Sequence, residues 1–338
     1  MEMQSHGYTP AINDEDGQPR PGSVAALERT NVGGVDQWLL FRGEDTTRPI
    51  ILFVHGGPGS AEIALSRSLR ASLEKHAVVV TWDQRGAGKS YSALEPRSEM
   101  TVSRLVDDLR HVARLATTVF HQTKVILVGH AWGSALGVLA VQKYPELFSA
   151  YVGISQVTDM AESERRSYAW ALSEAEKAED VTSMRKLREM GAPPYTGDWL
   201  TKLTNQRGVL AQLGGEIHAD VAGTRGRVSK AINSAPEYTL GDRANFYRGL
   251  LDSLRLLWPA LLELDLPAQA PRLEVPVFLV EGRHDHEIDP ELAEAYLNGL
   301  QAPSKELVWF EGSGHLPYIE QSHEFNEMLV RRVLPAAH

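Results

Sequence analysis

Short apolar runs bounded by turn residues recur through the first half of the chain: Trp38–Phe41, Ile50–Val54, Val78–Trp82, Val125–Val128 and Tyr151–Ile154. Runs this short and this uniformly apolar suit strands buried on both faces. Before Val125–Val128 the period changes. Leu105, Val106, Leu109, Val112, Ala113 and Ala116 share one helical face, which predicts a helix over 102–119 with Thr101 or Ser103 as its N-cap. After Gly133 a second helical run passes through Leu136, Val138, Leu139 and Val141 to Tyr144, and Pro145 stops it. Strands alternating with helices predict an α/β fold with a mostly parallel sheet covered by helices, because parallel strands need crossover connections.

The grammar shifts in the middle of the chain. Strand signals fade near residue 158 and helical, charge-laced segments take over, such as Ala161–Met190 and Arg248–Leu264. Strands return at Val275–Val280 and Leu307–Phe310, followed by Gly282 and Gly312 and by helical patterns over Pro290–Leu300 and Pro317–Val333. The expected organisation is an N-terminal extension (1–23), a first sheet-bearing part (24–157), an inserted helical cap (158–271) and a second sheet-bearing part (272–338). Open α/β sheets bind ligands beyond the carboxyl ends of their strands, so such a cap would roof the site.

Composition narrows the function classes. Lys plus Arg number 34 against 44 for Asp plus Glu, a net charge of −10. That argues against a nucleic-acid or anionic-membrane partner, both of which need clustered positive charge. No apolar run is long enough to span a bilayer. The polar stretch Met1–Pro21 lacks a secretory signal's apolar core, so the expectation is a cytoplasmic protein acting on a small molecule. The absence of cysteine excludes a thiol nucleophile and a thiolate metal site.

Candidate chemistry gathers at strand ends. Phe53-Val54-His55-Gly56-Gly57-Pro58-Gly59 places glycines directly after a buried strand, where backbone N–H groups can approach a ligand. Val128-Gly129-His130-Ala131-Trp132-Gly133-Ser134 has the Gly-x-x-x-Gly spacing of a sharp strand–turn–helix corner, which normally carries a nucleophile at its apex. Here the apex is Ala131, which has none. Late in the chain, Gly282-Arg283-His284-Asp285-His286-Glu287-Ile288-Asp289 precedes Gly312-Ser313-Gly314-His315, completing the order nucleophile, acid, base. Asp285 is the expected acid, with Asp289 and Glu287 as alternatives, and His315 the expected base. His130 reads as a buried, hydrogen-bonded packing residue. Gly86-Ala87-Gly88-Lys89-Ser90 is an incomplete phosphate loop, since Asp83 stands where a glycine is required. The acidic and His-rich loop at 284–289 is not expected to bind a metal, because adjacent residues rarely converge on one ion.

His55-Gly56-Gly57-Pro58-Gly59, Asp83-Gln84-Arg85-Gly86-Ala87-Gly88-Lys89-Ser90 and the elbow Gly-His-x-Trp-Gly-Ser resemble, in that order, the proline iminopeptidase-like branch of the α/β-hydrolase superfamily. The resemblance runs from about Val24 to Leu334. It implies an α/β-hydrolase fold, no cofactor, oxyanion-hole N–H groups from Gly57 and Trp132, and a nucleophilic serine at the position held by Ala131, with Asp285 and His315 as partners. Everything that serves the serine remains while the serine is missing, which points to a single Ser-to-Ala replacement in a hydrolase of an ester, lactone or amide. The alternatives are a naturally non-catalytic ligand-binding homologue and a proline iminopeptidase proper. Glu164, Glu216 and Glu237 are candidates by charge for recognising a free amine. The cap aromatics Tyr168, Trp170, Trp199 and Tyr247 are candidates for the pocket wall.

Overall fold

The structure, a computed structural model, describes residues 6–337, so the first five residues of the expected N-terminal extension lie outside it. The chain opens with a hairpin, β1 (Val24–Val32) and β2 (Val35–Gly43), then β3 (Ile50–Val54), α1 (Ile63–Arg70), β4 (Val78–Asp83) and α2 (Val102–Val119). It continues through β5 (Val125–His130), α3 (Trp132–Lys143) and β6 (Phe148–Ile154). A helical block follows: α4 (Met160–Lys177), α5 (Val181–Met190), α6 (Trp199–Gln212), α7 (Val221–Ser234), α8 (Leu240–Leu261) and the short α9 (Leu266–Gln269). Sheet structure resumes with β7 (Val277–Gly282), α10 (Pro290–Gly299), β8 (Lys305–Phe310), α11 (Pro317–Glu320) and α12 (Ser322–Met328).

The strands form one 8-stranded sheet in the order β1-β2-β4-β3-β5-β6-β7-β8. β2 pairs antiparallel with β1 and β4, and the remaining pairs are parallel. The register sets Val54 beside Gly129 and Trp82, His130 beside Ile154, and Gly282 beside Phe310. The residues just beyond β3, β5, β7 and β8 are therefore delivered to one edge.

Both faces are buried, which explains the uniformly apolar strands. Leu52, Val80 and Leu127 pack with Leu105, Leu109, Val112 and Val138 of α2 and α3 on one side. Their neighbours Ile51, Val79 and Ile126 pack with Ile319, Phe325 and Leu329 on the other. Thr101 caps α2, accepting the Arg104 N–H at 3.2 Å.

Three segments differ from the sequence expectation. β1 is an edge strand with Glu28 and Arg29 exposed, and it lacks a continuous apolar run. The segment 161–190 divides because Asp180 accepts the N–H groups of Thr182 and Ser183 and starts a new helix. α8 begins before Arg248, where Thr239 and Asp242 form a reciprocal capping box. Among the described residues no helix is long and apolar enough to cross a membrane.

Candidate active site

Ala131 stands between β5 and α3 at φ 47° and ψ −116°. A residue with a side chain in that region costs about 1–3 kcal/mol and persists only where its surroundings impose it. Here they do. The Ala131 N–H donates to Ile154 O at 2.9 Å. A Cβ at position 129 would lie 2.3 Å from Gly133 O, and one at 133 would lie 2.2 Å from Val54 O. The spacing of the two glycines is thus a steric requirement of the corner. The apex faces a cavity of about 390 Å³, lined also by Gly57, Trp132, Glu216, Glu287 and His315.

His315 enters the cavity from the loop after β8. Its Nδ1 lies 2.8 Å from Asp285 Oδ2, while Asp285 Oδ1 accepts the N–H groups of Glu287 and Ile288 at 2.9 Å each. Both carboxylate oxygens are engaged and Asp285 is buried, so Nδ1 carries the proton and Nε2 is the basic nitrogen. Burial disfavours the imidazolium, but the Asp285 carboxylate, with Glu287 and Glu216 adding, outweighs it and pushes the His315 pKa up to about 9. The other two acids of the loop are placed differently. Asp289 caps α10 through Glu291 N–H and pairs with Arg166, and Glu287 pairs with Arg207 at 3.2 Å.

His130 lies beside this pair, its ring centroid 4.8 Å from that of His315. Burial first, and the neighbouring His315 second, push its pKa down to about 3, so it is neutral. Its Nε2 donates to His315 O at 3.0 Å, and Ser155 Oγ donates to the same oxygen at 3.0 Å. It has a hydrogen-bonded packing role. Ser134 is fully buried, its hydroxyl donating to Ala131 O, and is unavailable as a nucleophile.

The glycine loop after β3 is anchored by the Asp83-Gln84-Arg85 segment. Asp83 Oδ1 accepts the N–H groups of Glu62 and Ile63 at 3.1 Å. His55 donates from Nδ1 to Gly56 O and accepts the Gln84 N–H on Nε2, which fixes a neutral tautomer. The Gln84 side chain donates to His55 O and accepts from Trp132 Nε1, joining the loop to the elbow. Arg85 is spent on Asp108 and Gly33 O, and Lys89 on Asp242 and His6 O, so neither makes a phosphate cradle. Gly57 sits at φ 111°. Its N–H meets no acceptor among the described residues. Trp132 opens α3, so its N–H has no intrahelical acceptor, and Ala131 supplies no side-chain cap. Gly57 and Trp132 both line the cavity that the apex faces.

The candidates from the helical block separate. Glu216 lines the cavity. Glu164 is buried against Arg207, and Glu237 is tied to Arg67 and Thr9; neither lines it. None of the four aromatic candidates is on the cavity wall. Tyr168 packs on Leu187 and Val209 and donates to Leu187 O. Trp170 stacks on His286 in a separate surface cleft, Trp199 packs against the main core, and Tyr247 is 58% exposed. Of the four, Tyr168 is the one buried in the block's own packing. The wall instead uses Met160, Leu203, Leu254, Trp258 and Leu261, with Arg207 among them. Sequence reasoning passed over Arg207 because nothing distinguishes a helix-borne arginine facing a cavity from one facing water. No three His, Asp or Glu side chains converge as metal ligands among the described residues.

Comparison with known proteins bears on the family and the fold. The chain is similar over 319 residues to a probable aminopeptidase of Bacillus subtilis, at 33% identity covering 93% of this chain and 98% of the relative. It is similar to a proline iminopeptidase of Saccharolobus solfataricus at 23% identity, covering 86% of each chain. In fold it is similar to the crystal structure of a Mycobacterium smegmatis proline iminopeptidase, with a TM-score of 0.64 at 18% identity over 92% of this chain and 98% of that one. Residues 49–322 match the family model described as the alpha/beta hydrolase fold. With the sheet order, the strand-to-helix elbow and a match spanning most of its length, the chain belongs to the α/β-hydrolase family.

Proposed function

We propose that this chain is a serine hydrolase whose nucleophile has been replaced by Ala131, leaving the rest of the catalytic apparatus in place. The observation that carries the proposal is the strained apex. An alanine at φ 47° has no use for the strain, whereas a serine there would present its oxygen between an imidazole and two free N–H groups. In the serine form, His315 Nε2 takes the hydroxyl proton as the oxygen attacks a carbonyl carbon. The N–H groups of Gly57 and Trp132 receive the developing oxyanion. His315 then protonates the leaving group, and water, deprotonated by the same nitrogen, releases the acid. Asp285 holds the imidazole's tautomer and stabilises its charged form. No cofactor is required.

The substrate is a small acyl compound carrying an ammonium group, an aminoacyl amide or ester. Glu216 and Glu287 line the cavity; Arg207 is divided between Glu287 and the buried Glu164, and Glu216 pairs with Arg225 at 3.1 Å. Met160, Leu203, Leu254 and Trp258 supply an apolar wall for the side chain. The similar Bacillus protein named a probable aminopeptidase supports the same class. The helical block over 158–271 acts as the cap, giving selectivity while the sheet edge gives chemistry.

The test is Ala131→Ser, assayed on p-nitrophenyl esters, lactones and amino-acid anilides. Restoring the nucleophile should raise kcat by about 10⁶ over the parent. A ligand-binding homologue that lost its serine naturally, and its alignment with it, would gain nothing from the change.

A further inference from the structure

Behind His315, two loops from distant parts of the chain are stitched together. One is the 213–218 segment between α6 and α7 of the helical block; the other carries Gly314 and His315. The His315 N–H donates to Glu216 O at 2.7 Å, and the His286 N–H donates to Gly215 O at 3.0 Å. The approach leaves no room for a side chain at 314, where a Cβ would lie 2.5 Å from Glu216 O. The His218 ring stacks on that of His284, with centroids 3.4 Å apart and planes within 5°. One carboxylate spans the junction. Glu320, at the end of α11, accepts the Gly314 N–H on Oε1 at 2.9 Å and the His218 N–H on Oε2 at 2.8 Å.

We propose that Glu320 is a positioning residue for His315, its carboxylate clamping the loop of the base to the 213–218 segment of the helical block. The proposal rests on the functional assignment above and deepens it. The main chain of His315 is held on its carbonyl side by His130 and Ser155, and on its amide side by Glu216 alone. Glu320 keeps that second anchor in register. Because Glu216 also lines the cavity, the clamp joins that wall to the direction in which the imidazole points. A carboxylate offers an acceptor to each of the two N–H groups. An amide offers one acceptor and one NH₂, which would face an N–H, so Glu320→Gln breaks half of the clamp at almost constant shape.

Two readouts test this, and Glu320→Asp, which keeps the charge, separates the clamp from the carboxylate's own field on His315. In the Ala131 protein itself, NMR titration of the His315 ring reports its environment, which is set by Asp285, Glu216, Glu287 and His130. Glu320→Gln should lower the midpoint from about 9 by about one unit, toward the ordinary imidazole value. In the Ala131→Ser background, the same substitution should reduce kcat for p-nitrophenyl acetate by about tenfold and leave KM within about twofold. Glu320→Asp, too short to span both donors, should reproduce the effect and replaces the Gln variant if that one does not fold. An unchanged His315 midpoint, with only the melting temperature lowered, overturns the clamp. An inactive Ala131→Ser protein would sink the functional assignment while the titration still decides the role of Glu320.

Discussion

The sheet edge and the helical block build opposite sides of one cavity under different constraints. At the edge, sterics dictate the backbone: Gly129 and Gly133 tolerate no Cβ, Ala131 is held at positive φ, and His315 is fixed at Nδ1 and on both sides of its main chain. In the block, the cavity wall is made of ordinary helix faces, Met160, Leu203 and Leu254, with two charged groups set among them. Many sequences could supply such a wall. The edge is thus fixed by backbone sterics, whereas the block's side of the cavity is set by side chains on regular helices.

Three substitutions probe that contrast, each made in the Ala131→Ser background. Asp285→Asn, on the edge, should cost about 10⁴ in kcat, since the amide favours the wrong imidazole tautomer. A loss equal to that of a block substitution would erase the distinction. Glu287→Gln lies where edge and block meet. It should reduce kcat/KM about tenfold for an aminoacyl anilide and much less for an acetyl ester, as expected for a lost charged contact. It also carries a pH signature. The base must be neutral, so kcat/KM should rise with pH up to about 9, and removing a nearby carboxylate should move that midpoint down. For folding the sign is opposite: the raised His315 pKa adds stability in full below the unfolded value of about 6.5 and loses it as pH climbs past about 9. Tyr247→Ala, on the exposed surface of the block, should change stability by no more than about 0.5 kcal/mol and leave turnover alone, as thermal melts and the same assay would show.

The same contrast explains what the sequence disclosed. The elbow was legible because two glycines four apart at the end of an apolar run have a specific steric meaning, and the α/β sheet was legible because buried parallel strands read as continuous apolar runs. The pairing of Asp285 with His315 was legible because each follows a strand and a glycine. β1 was not, since an edge strand with one wet face carries no such run. Nor were the cavity residues of the block. An apolar residue at helical spacing looks the same whether it meets a neighbouring helix, as Tyr168 does, or a cavity, as Leu203 does. Arg207 and the choice of Glu216 over Glu164 and Glu237 depend on tertiary placement, which charge alone does not encode.

The most direct test of the missing nucleophile is covalent labelling. The Ala131 protein and its Ala131→Ser variant are treated with a fluorophosphonate probe, and the modified peptide is located by mass spectrometry. The account predicts a stoichiometric adduct at position 131 in the variant and none in the parent. An unlabelled variant that is correctly folded, or labelling of both proteins at another serine, would contradict it.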